Sequence, residues 1–196
     1  MNYLAHAYLS FRQPDVLTGN LISDFVKGKK VLDYPEGVQV GIRLHRAIDA
    51  FTDEHAATAA AKQVFRPHYR LYSGAFVDVL YDHFLANDHK EFTDATLMAF
   101  SQEVYASLNA YVPLFPPAFA GMFPYMKQYN WMYGYREREG IMHSFRGLVR
   151  RATYLTESET AFALFEEHYA TLRQCYEDFF PDMKAFAFDT LTKLTR

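Results

Sequence analysis

Along most of the chain, apolar residues recur every three or four positions with polar residues between them, the period of helices that bury one side. Leu4, Ala5, Tyr8 and Leu9 predict a short helix within Met1–Phe11, with His6 among them. After a turn at Arg12–Asp15, Leu21, Ile22, Phe25 and Val26 give the segment Val16–Val26 an apolar face with Asp24 at its margin, and Gly28 permits a left-handed stop. The next helix is expected to start near Val38 and to bury Leu44, Ile48 and Phe51. Ala56–Phe65 is helical and should end at Pro67; Tyr69–Leu85 follows, burying Phe76, Val77, Leu80, Phe84 and Leu85. Thr93 can cap a helix running through Leu97, Phe100, Val104 and Leu108, and Pro113, Pro116 and Pro117 break it and open another, Ala118–Tyr129. Trp131–Tyr135 reads as an aromatic turn and Arg136–Thr153 as a helix with a basic side. Thr156-x-x-Glu159 reads as a capping box for the last long helix, which Pro181 should kink or split.

Composition narrows this to an all-α, single-domain multi-helix bundle over residues 1–196, because eleven valines and four isoleucines are few for a sheet protein. Eighteen phenylalanines and fifteen tyrosines supply a large core without disulfides. A net charge of −3 argues against a general nucleic-acid binder. The lone Cys175 excludes an internal disulfide and suits a reducing compartment. Met1–Phe11 lacks the basic start and small-residue cleavage site of a signal peptide, and no run reaches the roughly 18 apolar residues of a membrane span. A soluble cytoplasmic protein, with no nucleic acid or membrane as partner, is expected.

The stretch Arg43–His55 carries the most suggestive chemistry. His45, Asp49 and Asp53 stand at i, i+4 and i+8 beside an apolar stripe, a spacing that lets His45 and Asp49 reach one ion. Asp53, near the helix end, reads as a solvated or capping residue. Asp78, Asp82 and His83 form a second cluster in a similar apolar setting, and His6 and Asp24 lie on two further segments. Imidazole with carboxylate is the donor mix of Mn²⁺, Fe²⁺ or Zn²⁺. The same histidines also fit hydrogen-bonded core positions, and Asp49 could pair with Arg43 or Arg46, so spacing leaves both readings open. Lys27, Lys29 and Lys30 form a small basic cluster that suits either solvent or an acidic partner.

Four motifs in order carry a resemblance: Met1-Asn2-x-Leu4-Ala5-His6; Gly19-Asn20-Leu21-x-x-Asp24-Phe25-Val26-x-Gly28; Gly41-Ile42-x-x-His45-Arg46-x-Ile48-Asp49-x-x-Thr52-Asp53; and Asp78-Val79-x-x-Asp82-His83-Phe84-Leu85. Together they resemble the acyl carrier protein phosphodiesterases, over about the first 85 residues. The resemblance implies a helical fold distantly related to the HD-domain metal phosphohydrolases, with Asp82-His83 reversing the usual doublet. It implies hydrolysis of the phosphodiester joining 4′-phosphopantetheine to a serine of holo-acyl carrier protein, an acidic protein, with a divalent metal. Mn²⁺ is the usual one, and Mg²⁺, Fe²⁺ or Zn²⁺ could replace it.

On that resemblance His45, Asp24, His6 and either Asp82 or His83 are expected to hold one or two metals. Asp24, His45, Asp49 and Asp78 are the expected catalytic groups. Asn20, Lys27 and Arg46 are expected to contact substrate. Two other readings fit the same residues: a phosphohydrolase of a small phosphoester or nucleotide, and a non-catalytic helical binding protein.

Overall fold

The close packing of two helices through glycine sets the geometry of the whole N-terminal half. The computed structural model describes residues 1–196 and contains eleven α-helices and no strand. Helix α1 spans Tyr3–Tyr8, α2 Pro14–Ile22 and α3 Glu36–Glu54, with Ser23–Phe25 and Gly28–Asp33 as 3₁₀ turns between α2 and α3. A Cβ on Gly19 of α2 would lie 2.0 Å from the carbonyl oxygen of Val38, and one on Gly41 of α3 would lie 2.1 Å from that of Val16. Only glycine at both positions lets the two backbones touch.

Helix α1 is held by Asp82. Its Oδ1 accepts the backbone N–H groups of Asn2 (3.2 Å) and Ala5 (3.1 Å), and its Oδ2 accepts that of Leu4 (2.7 Å). Those N–H groups have no partner inside a helix, and a buried carboxylate at a helix N-terminus answers them together. Asp82 belongs to α5 (Ser73–Ala86), which α4 (Ala56–Tyr69) precedes. The C-terminal half adds α6 (Asp94–Asn109), α7 (Pro117–Gln128), the single turn α8 (Trp131–Gly134), α9 (Arg138–Arg151), α10 (Glu159–Glu167) and α11 (Tyr169–Leu194). One continuous apolar core joins them, from Leu4 and Ile42 through Phe76, Phe119 and Phe145 to Phe179.

The all-α expectation agrees with this architecture, and the Thr93 cap forms, its hydroxyl accepting the Thr96 N–H at 3.2 Å. Three local expectations are corrected. Pro67 lies inside the last turn of α4, where only two residues follow it and the lost hydrogen bond disturbs little. Pro181 leaves α11 unbroken, with buried Phe179, Phe180 and Met183 packing on either side of it. The break falls at His168 instead, between α10 and α11. The Thr156/Glu159 box does not form because α10 starts at Glu159 with Ser158 at its cap. The Glu157 carboxylate takes over by accepting the Thr160 N–H at 2.9 Å.

Candidate metal centre

The contact of α2 with α3 brings Asn20 against His45, one turn beyond Gly41. The backbone carbonyl of Asn20 accepts a hydrogen bond from His45 Nδ1 at 2.7 Å. A carbonyl oxygen only accepts, so the His45 proton sits on Nδ1 and Nε2 faces outward. The Asn20 side chain orients a second histidine. Its Nδ2 donates to the His6 carbonyl (2.9 Å) and to Ser10 Oγ (3.0 Å), which leaves Oδ1 to accept from His6 Nδ1 at 2.8 Å. His6 therefore also carries its proton on Nδ1 and presents a lone pair at Nε2. Such bonds fix tautomer and ring direction, the usual support behind a ligating histidine.

The two Nε2 atoms converge on Asp49. His6 Nε2 lies 3.2 Å from Asp49 Oδ1, and His45 Nε2 lies 3.0 Å from Asp49 Oδ2. One donor atom from each of the three residues falls within 4.8 Å of the others. Asp24, on the 3₁₀ turn after α2, adds Oδ1 at 3.1 Å from His45 Nε2, with 70 % of its side chain exposed. Both histidines are buried.

Electrostatics sharpen the picture. Burial, aided by repulsion from His45, pushes His6 down to about 4, so it is neutral at neutral pH. Its Nε2 lone pair then faces a carboxylate oxygen, acceptor against acceptor, and this buried atom has no hydrogen-bond donor. Burial also disfavours charge on His45, but hydrogen bonds to Asp24 and Asp49 outweigh it and raise the metal-free ring to about 9. The His45 hydrogen bond holds Asp24 below the usual carboxylate range. Asp49 stays low against its own burial, chiefly because the charged His45 ring bonds to it, with the Met1 ammonium acting in the same sense. The His6 lone pair, an ionised carboxylate and a His45 Nε2 that can give up its proton to a cation, all aimed at one point, form a donor set that fits a divalent ion.

A family model described as acyl carrier protein phosphodiesterase matches residues 1–183. Relatives from Salmonella paratyphi A, Salmonella agona and Salmonella enteritidis PT4, each named acyl carrier protein phosphodiesterase, are 32 % identical over 188 residues, covering 95 % of this chain and 97 % of theirs. The chain belongs to the acyl carrier protein phosphodiesterase family. No solved structure matches it.

Within this family member, the expected site residues separate into groups. His6, His45, Asp49 and Asp24 come together. Asp78 stands beside them, its Oδ1 2.9 Å from the buried Met1 ammonium, which is also 3.8 Å from Asp49 Oδ1. Burial raises Asp78 above the ordinary carboxylate value, opposed by that ammonium. Asp82 and His83 do not join the cluster, which corrects their expected place as ligands. Asp82 anchors the start of α1, beside the Asn2 cap on the Tyr3 N–H, and burial lifts it to about 7 against its three N–H partners. His83 turns the other way, with Nδ1 2.8 Å from the Tyr135 carbonyl and Nε2 3.2 Å from the Tyr169 hydroxyl. Asn20 is likewise corrected as a substrate contact: it is fully buried, and its polar atoms are taken by His6, Ser10 and His45.

Lys27 is exposed on the turn beyond Asp24. Arg46 Nη2 donates to the Val26 carbonyl at 3.0 Å and ties that turn to α3. Asp53 lies apart, paired with Lys62 at 2.6 Å. Ser10, not among the expected site residues, supports the cluster from behind: its hydroxyl donates to the His6 carbonyl at 2.8 Å. The i+4 step from His6 to Ser10 was the available signal.

Proposed function

We propose that this chain is a divalent-metal-dependent phosphodiesterase that releases 4′-phosphopantetheine from holo-acyl carrier protein and leaves the apo carrier protein. Family membership supports the substrate. The observation that carries the chemistry is the convergence of His6 Nε2 and His45 Nε2 on Asp49, with a buried lone pair that no donor meets.

His6, His45 and Asp49 would hold the ion, with Asp24 at its open side. Two imidazoles with carboxylates suit Mn²⁺, Fe²⁺ or Zn²⁺ better than Mg²⁺, which prefers oxygen donors. A divalent ion held there would supply Lewis acidity, acidifying water and offsetting phosphoryl charge.

The chain's own groups do the rest. Asn20 keeps both imidazoles in the Nδ1–H tautomer. Asp24, exposed and ionised, takes the proton of the water that adds to phosphorus. The bond from phosphorus to the seryl oxygen breaks, and that oxygen leaves as the serine hydroxyl, taking up the proton that Asp24 received from the water. Arg46 holds the Ser23–Val26 turn in place, and Lys27 offers a cation to a phosphoryl oxygen. Asp78, through the Met1 ammonium, keeps Asp49 oriented.

Mass spectrometry of holo-acyl carrier protein after incubation with the enzyme and Mn²⁺ tests the reaction. The expected result is loss of the whole phosphopantetheine group with the serine intact, prevented by chelator. A carrier protein of unchanged mass, beside turnover of a simple phosphodiester, would instead indicate a small-molecule phosphohydrolase.

A further inference from the structure

Helix α9 carries charge that the centre does not use. Its arginines Arg146, Arg150 and Arg151 are exposed and take part in no hydrogen bond or ion pair, whereas nearby Arg136 and Arg138 pair with Asp94 and Glu166. In a chain of net charge −3, three unpaired guanidinium groups within six residues are a local excess of the opposite sign. The helical period places Arg150 one turn beyond Arg146, with Arg151 beside it.

These three line a cleft of about 740 Å³ together with Tyr3, Trp131 and two carboxylates, Glu139 and the Arg136-paired Glu137, so the arginines outnumber the acidic groups there. The rings of Tyr3 and Trp131 lie 6.5 Å apart. Gly147 leaves the α9 wall open between the arginines: a Cβ there would sit 3.6 Å from Arg151 Nη1 and touch nothing else. The cleft abuts the metal centre. Asn2 and Tyr3 line it, and they follow Met1, whose ammonium is 3.8 Å from Asp49. Tyr3 is also raised above the ordinary tyrosine value, first by burial and then by the Asp24 carboxylate, with Arg151 acting in the opposite sense.

We infer that the Arg146–Arg150–Arg151 face of this cleft is the docking surface for an acidic protein, the carrier protein that bears the scissile phosphodiester. The inference rests on the reaction proposed above. Arg146 and Arg150 a helical turn apart, with Arg151 beside Arg150, match spaced carboxylates on a folded surface, and each guanidinium can bind one bidentately. Charge pairing of this kind speeds encounter and sets register, and it weakens with salt. Phosphorus would then be delivered to His6, His45 and Asp49 past Tyr3.

The test compares wild type with Arg146→Glu/Arg150→Glu/Arg151→Glu and with the triple lysine variant. Expected at low salt is a KM for holo-carrier protein raised about 10-fold or more in the glutamate variant, with a lesser effect in the lysine one. Turnover of bis(p-nitrophenyl) phosphate should stay within about twofold of wild type, and high salt should shrink the difference in KM. Binding of apo-carrier protein, which has no bond to cleave, is measured alongside for wild type and Arg150→Gln and should weaken in the variant. A KM and an apo-carrier affinity equal to wild type would overturn the docking surface while leaving the reaction standing. Wild type that binds apo-carrier protein through these arginines yet releases no phosphopantetheine would instead overturn the reaction. Wild type that does neither overturns both.

Discussion

The imidazole rings of His6 and His45 stack at 4.0 Å between centroids and 16° between planes, although they come from helices 39 residues apart in sequence. Asn20 holds them there, bonding one through its side chain and the other through its backbone. Asn20→Ala removes the side-chain half and leaves the carbonyl. The His6 ring then loses its direction while His45 keeps its own. Metal affinity should fall about 10–100-fold, the range for losing the partner of a ligating histidine, with KM for carrier protein little changed. Mn²⁺ titration by calorimetry, paired with steady-state kinetics, checks both.

Gly41→Ala tests the frame beneath that arrangement. The new Cβ would meet the Val16 carbonyl at 2.1 Å and the Gly19 Cα at 2.9 Å, and both are backbone atoms that cannot rotate away. Helices α2 and α3 must separate, at a cost of about 1–3 kcal/mol or more for overpacking. Thermal unfolding should show the loss. The variant that still folds should bind metal less tightly, since Asn20 and His45 no longer face each other at the same distance.

The metal-free protein should respond to pH in a way that identifies His45. Its folded value of about 9 lies above the ordinary 6.5, so its contribution to stability is complete below 6.5 and is lost as pH rises through 9. His6 runs the other way: a folded value of about 4 means stability falls as pH drops below 6.5. The depressed values of Asp24 and Asp49 add to that acid-side loss. The stability of chelator-treated protein should therefore fall from pH 6.5 to 9 by on the order of 2–3 kcal/mol. His45→Gln should flatten this limb. Apparent Mn²⁺ affinity should climb over the same interval, because the ion displaces the Nε2 proton. A wild-type limb as flat as that of His45→Gln would contradict the assignment.

Much of this was legible from local spacing. His45 and Asp49 share one helix, and i, i+4 places them together whatever the rest of the chain does. The helical fold followed from period and composition for the same reason. The Asp82-His83 pair was misplaced because its function is set by distant segments: Asp82 by backbone N–H groups some 80 residues earlier, His83 by Tyr135 and Tyr169. Neighbours in sequence on a stretch of helix buried all round, as Val79–Ala86 is, point to opposite surroundings, and periodicity carries no record of what lies there. Asn20 was assigned to the right place for the wrong reason. Its neighbour Gly19 marks a close helix contact, but which polar atoms that contact turns inward is a tertiary fact. Pro181 likewise stayed within α11 because core packing outweighed a local helix-breaking preference.

Asp82→Asn separates an anchor from a ligand. An amide keeps one acceptor for the α1 N–H groups and loses the other, so the helix start is left partly unsatisfied. Destabilisation of about 1–3 kcal/mol is expected. Metal stoichiometry at saturating Mn²⁺ should match wild type, as measured by elemental analysis of the folded fraction. Loss of bound metal without loss of stability would return Asp82 to the ligand set.

The most direct measurement is the Mn²⁺ dependence of 4′-phosphopantetheine release by wild type and by His6→Ala. Wild type should be activated by Mn²⁺ and silenced by chelator. His6→Ala should need about 10-fold or more Mn²⁺ for half-maximal release, reflecting one lost donor to the ion. Superimposable activation curves would contradict a metal centre built on His6, His45 and Asp49.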